Sequence, residues 1–212
     1  MREGLVRGCR STSPRSWPAA IVLAVAVLGA VAALVLAAAG CGGRDAPAQG
    51  VAHYANAGFH FSLDVDRRLT EWRSATSAGG GAFEVAFVDA AGARAGRRHL
   101  DALTVSVVDT GTSPTNEQAA QLDASLGTLG ATMVSKMGSQ AQAGDPAQAT
   151  VNGHTGVVVP FAVTVSGQRL MGWLYLFTAG GHIYSLTASA TTGHWGADSP
   201  LFIRAIDSFR IG

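Results

Sequence analysis

The sequence predicts an α+β domain: an antiparallel sheet with helices on both faces, an α/β/α sandwich. Three observations carry this. Several short runs alternate apolar and polar residues with the two-residue period of half-buried strands. The three most apolar runs are joined by turns too short for anything but an antiparallel meander. Two segments place apolar residues three and four apart, one after the first group of strands and one at the C terminus, and each supplies a helix.

Taken in order, Phe59, Phe61, Leu63 and Val65 alternate with His60, Ser62 and Asp64 in a first strand. Trp72 comes after a short charged stretch and is expected over the sheet edge. Gly79, Gly80 and Gly81 make a turn, and Phe83, Val85 and Phe87 define the next strand. Residues 89–100 read as a basic loop, and Leu103, Val105 and Val107 as a third strand. Ser113 and Pro114 are a helix-start signal. Ala119, Leu122, Leu126, Leu129 and Met133 form the apolar stripe of that helix, which should end near Lys136 to Gly138, although Gly127 and Gly130 weaken it. Residues 139–147 read as a polar loop. Residues 156–165, 168–177 and 182–190 form the meander, turning at Ser166-Gly167 and at Ala179-Gly180-Gly181. Pro160 cannot donate to a ladder and belongs at an edge or a bulge. Ser199-Pro200 opens a closing helix whose apolar face is Leu201, Phe202, Ala205, Ile206 and Phe209.

The N terminus reads as a targeting segment and not as part of the domain. An uncharged apolar run of 21 residues, Ala19 to Ala39, comes after Arg2, Arg7, Arg10 and Arg15 and leads to Cys41. Small residues before a lone cysteine, Ala38-Ala39-Gly40-Cys41, resemble the lipobox of bacterial lipoproteins. The resemblance implies cleavage before Cys41 and a diacylglycerol on its thiol. Ala38 stands where the strongest lipoboxes carry Leu. The run also reaches the roughly 20 residues that a bilayer span needs, so a single-pass signal anchor is the alternative. Either reading places residues 42–212 outside the cytoplasmic membrane. On the first, residues 1–40 are a signal peptide, 41–52 a flexible tether of which residues 42–52 reach at most ~35 Å, and 53–212 one α+β domain.

The order of these elements resembles the PsbP/Mog1-like family, and in particular its actinobacterial lipoprotein members. The residues that carry the resemblance are Tyr54 with Phe59-His60-Phe61-Ser62-Leu63, then Trp72, then Gly181-His182-Ile183-Tyr184-Ser185-Leu186-Thr187, and the ending Ile206-Asp207-Ser208-Phe209-Arg210-Ile211. It covers about residues 53–211 and implies the α/β/α sandwich. Members of that superfamily are mostly binding or assembly factors serving unrelated partners. The resemblance brings no functional residue with it, because shared fold does not carry function across.

Without residues 1–40 the formal charge moves from +1 to −2, a poor balance for gripping nucleic acid. Cys9 and Cys41 are the only cysteines, so an acylated mature chain has neither disulfide nor thiolate metal site. His53, His60, His99, His154, His182 and His194 show no metal-ligand spacing and read as solvent-facing, so neither metal nor cofactor is expected. No G-x-S-x-G or S-x-x-K is present, and Asp64 and Asp66 sit at a strand end where acids meet water. Gly79-Gly80-Gly81 and the Gly92/Gly96 pair lack the G-K-[ST] ending of a phosphate cradle.

Two features remain as binding candidates. Arg94, Arg97 and Arg98 could grip a phosphate or an anionic lipid head group. Met171, Trp173, Tyr175 and Phe177 share one face of a strand and could wall an apolar ligand site, although strand aromatics more often fill a core. The expectation is a non-catalytic binding or assembly module of the cell envelope, held by an N-terminal lipid and meeting an envelope protein. A carrier or sensor of an apolar or anionic ligand is the alternative, and a hydrolase is the least favoured.

Overall fold

Strands come first in the chain because short apolar alternations sit between glycine and Asp/Asn turns. In the computed structural model the described residues are 50–77, 79–94, 101–111 and 116–212. Their elements are β1 (Val51–Asn56), β2 (Phe61–Asp66), β3 (Leu69–Thr76), β4 (Ala82–Asp89), α1 (Ala90–Arg94), β5 (Ala102–Asp109), α2 (Asn116–Ser135), β6 (Ser139–Ala143), β7 (Ala147–Val151), β8 (His154–Val165), β9 (Gln168–Ala179), β10 (His182–Thr191), α3 (Trp195–Ser208) and β11 (Arg210–Ile211).

Two antiparallel sheets result. The larger runs β3-β4-β5-β10-β9-β8-β6, with β7 also pairing β8, and the smaller runs β1-β2-β11. The meander is β8-β9-β10, with Pro160 paired to Trp173 and Leu186 to Tyr175. β9 is apolar on both faces and lies inside the large sheet, as buried two-sided strands do.

One helix covers each face, as expected. α2 sets Leu126, Leu129, Met133 and Val134 on Val159, Phe161, Val163, Leu174 and Leu176. On the opposite face, α3 and the small sheet enclose the larger core. Phe61, Leu63, Phe83, Val85, Tyr184, Phe202 and Phe209 meet there. Each such side chain contributes roughly 1.5–3 kcal/mol on burial. The Tyr184 hydroxyl donates to the Phe59 carbonyl at 3.2 Å, so the one polar tip among these rings is satisfied.

Six elements go beyond the sequence reading: β1, β3, β6, β7, α1 and β11. β1 begins at Val51, β3 fills the charged stretch around Trp72, and β6 and β7 occupy most of the 139–147 loop and its continuation. The basic loop begins as the short helix α1, because both Asp89 carboxylate oxygens accept from the backbone N–H groups of Ala91 and Gly92. α3 starts one turn before Ser199, with Pro200 inside its first turns.

Candidate functional site

The densest chemistry lies at one end of the domain, the end where the chain enters it. A chain of hydrogen bonds defines this end. Arg67 donates its backbone N–H to the Gly50 carbonyl at 3.0 Å, and its Nε reaches the Val51 carbonyl at 3.4 Å. The Ala90 N–H donates to the Arg68 carbonyl at 2.9 Å, and the Asp89 N–H to the Asp101 carbonyl at 2.9 Å. The Asp101 carboxylate accepts from the Thr191 N–H at 2.7 Å and lies 2.6 Å from His194 Nδ1. The β2–β3 turn, α1, the start of β5 and the N terminus of α3 therefore form one surface.

Its carboxylates are all committed inward. Asp101 is only 3% exposed, and both of its oxygens have partners. Asp198, in the first turn of α3, hydrogen-bonds Asp101. Burial first, then the neighbouring Asp101 charge, push its carboxyl up to about 6, with His194 opposing. Asp66 accepts from Arg68 Nε and Nη2, each at 3.0 Å, and from Arg204 Nη2 at 3.2 Å. The Arg68 bonds hold its carboxyl down at about 2. Asp89 caps α1. The cations stand outside this layer: Arg67 and Arg94 are exposed, and the Arg68 and Arg204 side chains are 48% and 61% exposed.

The donor atoms of Asp101, His194 and Asp198 lie within 4.8 Å of one another, close enough for a cation. In this geometry the Thr191 N–H and the His194 imidazole already take both Asp101 oxygens, and Asp198 hydrogen-bonds Asp101. The trio is a polar knot around the buried Asp101 that ties α3 to β5. No sequence spacing announces it, since Asp101 and His194 are 93 residues apart and meet only because β5 pairs with β10.

The other candidates lie elsewhere. Met171 is exposed, the Trp173 ring meets Trp195 edge-on at 4.6 Å, Tyr175 packs against the larger core and Phe177 is buried against Tyr184 and Phe209. Arg94 is on the entry surface, whereas Arg97, Arg98, His99 and Cys41 fall outside the described residues. His53 bonds Asp64 at 2.8 Å on the surface. A cavity of about 230 Å³ opens beside β3 and β4, lined by Arg73, Ser77, Phe83, Glu84 and Ser106, and burial there raises the Glu84 carboxyl's affinity for its proton. β3 is an edge of the large sheet; its register slips between Glu71 and Arg73, and Trp72 at the slip is 41% exposed.

Against this geometry, the solution structure of cyanobacterial PsbP (CyanoP) from Synechocystis sp. PCC 6803 matches 82% of this chain and 98% of its own, at a TM-score of 0.53 and 16% identity. The domain has the PsbP-like fold. Further matches to this PsbP-like chain are LpqN, involved in cell envelope biogenesis of Mycobacterium tuberculosis (TM-score 0.43, 12% identity, 71% of this chain and 82% of that one), and the Saccharomyces cerevisiae Ran-binding protein Mog1p (TM-score 0.43, 9% identity, 77% and 96%). No family model and no curated protein sequence matches the chain. At these identities the likeness speaks for the fold alone.

Proposed function

We propose that the chain is a lipid-anchored, non-catalytic binding module of the cell envelope, facing outward from the cytoplasmic membrane. The observation that carries this is the position of Cys41, one glycine after the Ala19–Ala39 run and ten residues before the start of β1. No helix among the described residues is long and apolar enough to cross a membrane, and the Ala19–Ala39 run lies outside them. An exported domain tied so closely to a bilayer acts on what is beside it. β3 offers the means: an eight-residue edge strand with an exposed indole at its bulge suits an extended segment of a neighbouring envelope protein. The alternating main-chain groups of such an edge supply affinity, and Trp72 supplies a side-chain anchor.

The test is capture from detergent-solubilised envelope with the tagged full chain, beside Cys41→Ala and Trp72→Ala. A partner retained by the wild type and lost with Trp72→Ala supports the edge. Capture that ignores Trp72 removes the edge from the proposal, and no reproducible partner in repeated captures contradicts the binding role.

A further inference from the structure

We infer that the end of the domain where the chain enters is a seat for an anionic lipid surface, with Arg67 and Arg94 turned toward the bilayer. This rests on the anchored reading of Cys41 and adds an orientation to it. The first argument is reach. Residues 42–50 span at most ~30 Å when extended, and they deliver the chain to Gly50, whose carbonyl is bound by the Arg67 N–H. The surface nearest the membrane is therefore the one around the β2–β3 turn. The second argument is charge. Asp66, Asp89, Asp101 and Asp198 all lie at this end, and each is held by a partner in the domain: Asp66 by Arg68 and Arg204, Asp89 by the N-terminal turn of α1, Asp101 by Thr191 and His194, and Asp198 by a hydrogen bond to Asp101. Arg67 and Arg94 have no carboxylate partner among the described residues. The outer layer is cationic over an acidic interior, although the whole mature chain is slightly acidic.

Each guanidinium held at an anionic surface raises occupancy roughly fivefold. Two together are weak for a free protein. They are sufficient for a tethered one, whose short linker holds it at millimolar effective concentration. The domain thus stands on this end. It presents the β3–β4 and β9–β10 turns, which meet β5 at its far end through Asp109 and Thr110, away from the lipid. The effect is electrostatic, so raised salt should release the domain without detaching it.

The test uses the full chain, extracted from membranes and reconstituted in vesicles of phosphatidylcholine alone or with phosphatidylglycerol added. Flotation reports the anchor, and amide exchange over residues 66–70 and 90–94 reports the seat. The account predicts flotation with both vesicles, and exchange slowed about threefold or more only on the anionic ones. The slowing should vanish in high salt and in Arg67→Glu/Arg94→Glu, whose side chains hold no ion pair among the described residues. Equal exchange on both vesicles, with flotation intact, overturns the lipid seat and leaves the anchor standing. Failure to float with either overturns the anchor itself, and the seat with it.

Discussion

At the scale of single residues, two aspartates at the entry end carry opposite pH signatures. Burial beside Asp101 pushes the Asp198 carboxyl up to about 6, above the ordinary carboxylate value. Between about pH 4 and 6 the native state keeps a proton that the unfolded chain has released, so this group's contribution to stability falls as pH rises through that window. Asp198→Asn should be more stable than wild type near pH 7.5 by on the order of 1–2 kcal/mol, and the difference should disappear below pH 4. Asp66 runs the other way. Its carboxyl is held at about 2 by Arg68, so its contribution is complete above pH 4 and is lost between pH 4 and 2. Urea titrations of wild type, Asp198→Asn and Asp66→Asn at pH 2.5, 4 and 7.5 check both signs. Asp101 has the larger structural role. Removing it strands the part-buried Thr191 N–H and the His194 Nδ1 contact, and Asp101→Ala should cost about 1–3 kcal/mol. Thermal unfolding of that variant is the measurement.

At the scale of elements, the strands that are hard to read in the sequence share one physical cause. β1, β3, β6 and β7 lie at or near sheet edges, where neither face must be apolar, so the alternation that reveals a buried strand is absent. Trp72 stands out in the charged stretch, yet the strand around it does not. β9 is the opposite case: both faces are covered, and its continuous apolar run is legible. Pro160 is legible as a misfit and has a specific place. Its carbonyl accepts from the Gly144 N–H at 2.7 Å, so its missing donor faces the interval between β6 and β7, where β8 has no ladder partner to supply. Gly130, which weakens the reading of α2 as a helix, is where the helix comes down on the sheet. A Cβ there would stand 2.7 Å from Val159 Cγ2 and 3.1 Å from Leu176 Cδ1. Gly130→Ala should therefore destabilise by about 1–3 kcal/mol despite its better helix propensity. Adding Val159→Ala should recover part of that loss. Chemical denaturation of the four members of this cycle tests the close approach; additive losses would contradict it.

At the scale of the whole molecule, the sandwich is readable because its layers come from local periodicity. The cluster at the entry end is not, because it is assembled by pairing. Arg67, Asp89, Asp101 and His194 belong to four separate stretches of sequence, and only the register of the large sheet and the loop hydrogen bonds bring them together. Arg94 can be flagged as a basic residue, but not that the neighbouring acids turn inward beneath it. The function proposed for this assembly depends less on the cluster than on one thiol beyond the described residues, Cys41. Intact mass of the protein extracted from membranes tests that directly. The account predicts a chain beginning at Cys41 and heavier than its polypeptide by a diacylglycerol, whereas a mass that includes Met1 and residues 1–40 without added lipid would contradict it.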